Sequence, residues 1–245
     1  LDLGNKYSTV RNAHGAEVLC SCAYTGGMAG QRTIFLDDVE SAAREAATVV
    51  KAGGVVLYPT DTLYGLGADA LSDKAVEKIY TIKGRDEKKP IHCIVADLEM
   101  AERYARVDNI ARELAKAFWP GPLTLILKKR PEFDEGIARG IDTIGIRIPQ
   151  HPFCLALARE FGGPITTTSA NRSGKKPEQS VEEILTQLGD GSSGIDLAID
   201  AGAPPAGGPP REPSTVVDLS GKEPVILREG AIPVADIWDT IRLEF

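Results

Sequence analysis

The chain is short of most devices that announce a function. None of its apolar runs approaches the roughly 18 residues that a membrane-spanning helix needs, which argues against a helical membrane protein. Only three histidines and four cysteines occur in 245 residues. Cys20 and Cys22 form a C-x-C pair, but no second pair stands at zinc-site spacing and His14 is a poor substitute. Cys93 and Cys154 sit in apolar stretches and read as small buried hydrophobes in a reduced, cytoplasmic protein. There is no GxxxxGK[ST], no GxGxxG after a strand, no GxSxG and no HExxH. Those absences exclude a P-loop, a dinucleotide fingerprint, a hydrolase elbow and a zincin helix. Aromatics are only 6% and the net charge is −7, so stable coating of nucleic acid is disfavoured, although a local basic cleft is compatible with both.

What is present is an ordinary globular composition, 42% hydrophobic and 26% charged, with strands and helices alternating. The spacing of Val39, Ala42, Ala43, Ala46, Ala47 and Val50 predicts a helix stopped at Gly53-Gly54. GGVVLYP reads as a buried strand, Ser72 as the cap of a helix carrying Ala75, Val76, Ile79 and Tyr80, and IHCIVA as a short strand. Helical patterns over 97–118 end at WPGP, which no helix survives. LTLILKK, TIGIRIP, PITTTSA, IDLAI, STVVDLS and PVILREG read as strands; HPFCLALAREFG, SVEEILTQLG and VADIWDTI read as helices. The Pro/Gly-rich stretch at 200–212 is a loop. Without a linker or internal repeat, this is one α/β domain with a mixed sheet. Residues 1–27 lack periodicity, and Met28 opens a stretch that reads like a natural beginning. They are expected to be a leader or extension outside the fold, with 28–245 as the catalytic domain.

Polar groups gather where apolar strands end, which is where open α/β sheets bind ligands. YPTDTLYGLG places Thr60, Asp61, Thr62 and Tyr64 after a strand, more polar groups than a turn requires. KGRDEKKP sets Lys83 and Arg85 two residues apart with Lys88 and Lys89 beyond, a cluster suited to a nucleoside triphosphate or simply to solvent. Arg147 alternates with Ile144, Ile146 and Ile148. If it faces inward it needs an anionic partner, because an unpaired buried charge costs several kcal/mol, and a bidentate clamp on carboxylate or phosphate is its natural use. On a half-exposed sheet it would instead face water. TTTSAN at 166–171 offers small donors and acceptors, and Arg228 ends PVIL. With no nucleophile–base pair in view, positioning and charge neutralisation are the chemistry on offer, as in phosphoryl and nucleotidyl transfer.

Taken in order, YPTDTLYGLG, the K-x-R of Lys83 and Arg85, KKPI, FWPGPLTLIL, DTIGIRIP, HP, TTSAN with its S-x-N at Ser169 and Asn171, PSTVVD and ILREG resemble the YrdC-like family of L-threonylcarbamoyladenylate synthases, from about Phe35 to Ile232. The resemblance implies a single-domain twisted α/β sheet with surrounding helices and a large concave cavity. It implies a nucleotidyltransferase that joins L-threonine, bicarbonate and ATP, with Mg²⁺, into threonylcarbamoyl-AMP and pyrophosphate. The product would serve a separate tRNA-modifying transferase complex making threonylcarbamoyladenosine. Position by position it implies Thr62, Arg147, Thr167 and Ser214 around L-threonine. It implies Lys83, Arg85, Lys89, Thr143, Ser169, Asn171 and Arg228 around ATP, with Lys83 and Arg85 catalytic. No protein-bound metal is implied. Long members carry a histidine four residues after the proline of KP; here that position is Ile94, and His92 stands two residues earlier, so His92 is not counted in the site. Long members also carry a further C-terminal domain, so the match implies the short form. An RNA-binding module, an inactive paralogue of the same fold, and the carbamoyl-transfer chemistry of hydrogenase-maturation proteins are the competing readings.

Overall fold

A computed structural model describes residues 8–11, 17–20, 32–84, 90–202 and 212–242, the first two segments by their backbone alone. Its strands are β1 (Ser8–Arg11), β2 (Glu17–Cys20), β3 (Arg32–Phe35), β4 (Val56–Tyr58), β5 (Gly65–Gly67), β6 (His92–Ile94), β7 (Leu123–Lys128), β8 (Thr143–Arg147), β9 (Ile165–Ser169), β10 (Leu197–Asp200), β11 (Thr215–Asp218) and β12 (Val225–Arg228). Its α-helices are α1 (Val39–Lys51), α2 (Asp73–Lys83), α3 (Leu98–Tyr104), α4 (Asn109–Phe118), α5 (Pro152–Phe161), α6 (Val181–Leu188) and α7 (Val234–Arg242). Ten strands make one mixed sheet in the order β12-β11-β7-β8-β6-β9-β5-β4-β10-β3, and β1 pairs with β2 in a separate antiparallel hairpin.

Local chemistry explains the elements. Asp38 caps α1 by accepting from the N–H groups of Glu40 and Ser41, at 3.0 and 3.2 Å. The 3.6-residue period then buries Ala42, Ala43, Ala46, Ala47 and Val50 in one stripe. That stripe packs on α5 and, with Tyr58, Phe153, Leu157 and Ile165, forms a core separate from the larger one around β6, β7 and β8. Ser72 caps α2 through the Ala75 N–H, and Gly84 closes it in the left-handed conformation at φ 55°.

Two strands of the large sheet were not read from the sequence. β3 forms an edge beside β10, and β5, the tripeptide GLG, is fully buried near the middle of the sheet between β4 and β9. Glycine is depleted in strands, yet here nothing larger fits. A Cβ on Gly67 would stand 2.6 Å from the Tyr58 ring, which also covers Gly65 across the β4–β5 pair. The tyrosine fills the layer that two side chains would have occupied, and its hydroxyl donates to the Thr166 carbonyl.

Candidate active site

The turn after β4, the start of β6, the end of β8, β9 and the 213–214 and 228 positions converge on a cavity of about 520 Å³. Its described lining includes Thr60, Thr62, Tyr64, His92, Thr124, Arg147, Thr167, Ser169, Asn171, Lys176, Ser214 and Arg228. No carboxylate stands among those described lining residues.

Arg147 is buried, 4% exposed, at the last position of β8. Its guanidinium reaches three protein acceptors: Nε donates to the Gly121 carbonyl at 3.0 Å, Nη1 to Thr62 Oγ1 at 2.7 Å and Nη2 to Asp61 Oδ1 at 2.6 Å. The polar turn after β4 is therefore the socket of Arg147. Across the cavity, Arg228 donates through Nε and Nη2 to the Ser214 carbonyl, at 3.0 and 2.8 Å, and through Nη2 to Ser214 Oγ at 3.1 Å. Ser214 Oγ also lies 2.9 Å from Thr124 Oγ1. Burial, and after it the charge of Arg147, lowers the pKa of Arg228. Two guanidinium fields thus overlap in a space lined otherwise by hydroxyls and amides, which favours an anionic ligand.

His92 lies across Gly145. A Cβ there would come within 2.4 Å of the imidazole Cδ2 and 2.9 Å of Ile126 Cδ1. The missing side chain in the middle of β8 is what leaves room for the histidine, which lines the cavity. Gly145→Ala is therefore expected to displace His92 and to destabilise the fold by about 1–3 kcal/mol through overpacking. A fall in the urea midpoint at unchanged m-value would register it.

The expected residues divide into three groups. Thr62, Arg147, Thr167, Ser169, Asn171, Ser214 and Arg228 are brought together around the cavity. Arg85 and Lys89 lie outside the described residues. Lys83 and Thr143 lie outside the described lining of the cavity. Lys83 is buried, 3% exposed, and is not among the lining residues. Its Nζ donates to the carbonyls of Ser169 and Asn171, the latter at 2.9 Å, and meets Asn171 Oδ1 at 3.4 Å. It braces the S-x-N segment that faces the cavity. Thr143 begins β8 opposite Lys128. It shares Arg147's face but lies four residues away, about 13 Å along the strand, and outside the lining.

Sequence reasoning passed over Thr124 and Lys176, which line the cavity. It weighed His92, which also lines it, and left it out, and it singled out Asp61 in the polar turn without pairing it to Arg147. Thr124 had a signal: it is a hydroxyl inside the apolar run LTLIL, fully buried beside Ser214. The two described thiols are removed from nucleophilic duty by burial, which pushes Cys93 up to about 12 and raises Cys154 as well.

Residues 48–230 match the Sua5/YciO/YrdC family model, described as telomere recombination. The chain belongs to this family. Among curated members of the Sua5/YciO/YrdC family, a threonylcarbamoyl-AMP synthase of Pyrococcus abyssi is 39% identical over 199 residues, 81% of this chain and 56% of the relative. This chain thus spans just over half the length of that enzyme. The structure of P. abyssi Sua5 complexed with L-threonine superposes with a TM-score of 0.76 at 36% identity, covering 86% of this chain and 60% of that one. E. coli YciO superposes with a TM-score of 0.72 at 32% identity, covering 84% of this chain and 98% of YciO.

Proposed function

We propose that the chain is an L-threonylcarbamoyladenylate synthase, condensing L-threonine, bicarbonate and ATP into threonylcarbamoyl-AMP and pyrophosphate. The observation that carries the reading is the disposition of Arg147. A guanidinium has five N–H donors, and three are engaged by Gly121, Thr62 and Asp61. Two remain on a side chain that lines the cavity, a fork matched to a carboxylate. The threonine complex of the P. abyssi relative supports the choice of ligand.

In the reaction, the threonine amine and bicarbonate give an N-carboxylate with loss of water. A carboxylate oxygen then attacks the α-phosphorus, and the bond to pyrophosphate breaks. No protein nucleophile takes part, and the work of the chain is positioning and charge stabilisation. Arg147, Thr62, Thr167 and Ser214 form the threonine side; Ser169, Asn171 and Arg228 form the nucleotide side, with Arg85 and Lys89 assigned to the phosphates by resemblance. Mg²⁺ enters as part of the MgATP substrate, carried on its phosphates. The product would be the acyl donor for a separate tRNA-modifying transferase complex in the cytoplasm.

The test is pyrophosphate release from MgATP with L-threonine and bicarbonate each supplied or withheld. Release that requires both upholds the synthase. Release with neither identifies a plain nucleotide hydrolase, and no release points to an inactive paralogue or an RNA-binding module.

Residues 28–245 are proposed as the catalytic unit. The family match within 48–230 and a ten-stranded sheet that begins at Arg32 support this. Deletion of residues 1–27 is expected to leave kcat/KM for threonine within about twofold of the full chain, the range of a substitution remote from a site. A large loss in the same assay would assign the hairpin a part in the enzyme.

A further inference from the structure

The turn that holds Arg147 also fixes which hydrogen-bonding groups the cavity wall presents. Thr60 Oγ1 stands 2.7 Å from the Leu63 carbonyl, which only accepts, so the one proton of Thr60 is directed there. Two other groups approach the same oxygen, the Thr62 N–H at 3.0 Å and Thr62 Oγ1 at 3.0 Å. With its own proton placed, Thr60 can meet the Thr62 hydroxyl only as acceptor, and Thr62 must donate to it. Thr62 Oγ1 already accepts from Arg147 Nη1 at 2.7 Å. A hydroxyl has one proton and two lone pairs. One lone pair is therefore what Thr62 retains, on a side chain that lines the cavity.

Asp61 acts on the neighbouring group. Its Oδ1 accepts from Arg147 Nη2 at 2.6 Å and its Oδ2 from the Gln150 N–H at 3.1 Å. An asparagine has a single acceptor oxygen and can satisfy only one of the two. Asp61 is not itself among the lining residues; it sets the plane of the guanidinium from the side.

We infer that Thr60 and Asp61 are positioning residues that set the polarity of the amino-acid subsite. They leave Arg147 to offer two donors and Thr62 to offer an acceptor alone, so that Thr62 receives an N–H of the substrate amine while Arg147 holds its carboxylate. This deepens the synthase reading and rests on it. An acceptor at the amine has a chemical consequence. It orients the nitrogen by its N–H, which leaves the nitrogen lone pair directed away from Thr62 for bond formation with the one-carbon donor.

The experiment is a double-mutant cycle on the full chain, read as KM for L-threonine, KM for ATP and melting temperature. T62V and T60V are each expected to raise KM for threonine about tenfold, the effect of a hydrogen bond worth roughly 1.4 kcal/mol, with KM for ATP unchanged. The double variant is expected to be no worse than T62V, because Thr60 acts only through Thr62. T60S, which keeps the hydroxyl, is expected to restore the wild-type KM. D61N should raise KM for threonine similarly; if it does not accumulate as folded protein, the Thr60–Thr62 cycle decides alone. Additive penalties, a T60V variant with wild-type KM, or an equal rise in KM for ATP would overturn the inference. A wild-type protein whose pyrophosphate release ignores threonine would instead overturn the functional reading, so the two failures are told apart.

Discussion

Arg147→Ala is expected to lower kcat/KM for L-threonine by about 100-fold or more, the usual consequence of removing a charged group aimed at a reacting substrate. The loss should fall mainly on threonine binding, because two donors are left after Gly121, Thr62 and Asp61 are served, on a side chain that lines the cavity. Stability should fall too. The Arg147–Asp61 pair is almost wholly buried, with side-chain exposures of 5% and 13%. Breaking a buried pair by removing one partner costs about 3–5 kcal/mol. Asp61 keeps the Gln150 N–H, so the lower end of that range applies. Arg147→Lys should rescue little of the activity. One ammonium cannot span acceptors arranged around three sides of a planar fork. Threonine titrations of pyrophosphate release, with melting curves run alongside, check both parts. A variant with unchanged KM for threonine would remove Arg147 from the carboxylate while leaving its structural role intact.

Arg147 was legible in the sequence because a charge stood inside an alternating apolar strand, a local contradiction that calls for a partner. The same logic found α1, whose five buried positions follow the helical period. It also located the strand before the polar turn and the proline-rich stop after α4. The strands it missed carry no such signature. In β5 the rule that glycine avoids strands is overruled by Tyr58, whose ring lies over both glycines. In Gly145 the decisive neighbour is His92, 53 residues earlier in the chain. Asp61 was visible as one of four polar groups in a turn, but its partner lies 86 residues away. What periodicity encodes is local burial. Which distant backbone leaves room, and which distant cation needs a carboxylate, is decided only when the sheet order is known.

Two roles are open to Lys83, the lysine of the K-x-R motif, and its replacement separates them. The resemblance puts its ammonium on ATP phosphates. The structure puts it at the C-terminus of α2, directed into the carbonyls of Ser169 and Asn171 and toward Asn171 Oδ1. The Lys83 carbonyl accepts the Ser173 N–H at 3.0 Å, so backbone and side chain together bind α2 to 169–173. That segment is further tied by Asn171 Nδ2, which donates to the carbonyls of Arg172 and Lys175 at 3.1 and 2.6 Å. Lys83→Met keeps most of the apolar stem and deletes the charged donor shared by three oxygens. The Ser169 carbonyl keeps the Asn171 N–H at 2.9 Å and Asn171 Oδ1 keeps the Ser169 hydroxyl at 2.5 Å, so the Asn171 carbonyl bears most of the loss. Charge-assisted bonds of this kind contribute about 1.5–3 kcal/mol each before any relaxation. A net loss of about 3 kcal/mol is expected, which in a chain this size lowers the melting temperature by roughly 6–12 °C. Because the braced segment carries Ser169 and Asn171 into the cavity, KM for ATP should rise as well, while KM for threonine follows less. A purely phosphate-binding lysine predicts the opposite pairing, a fall in kcat at unchanged melting temperature. Melting and kinetics measured on the same preparation therefore decide whether Lys83 works on the nucleotide directly or by holding the S-x-N segment in place.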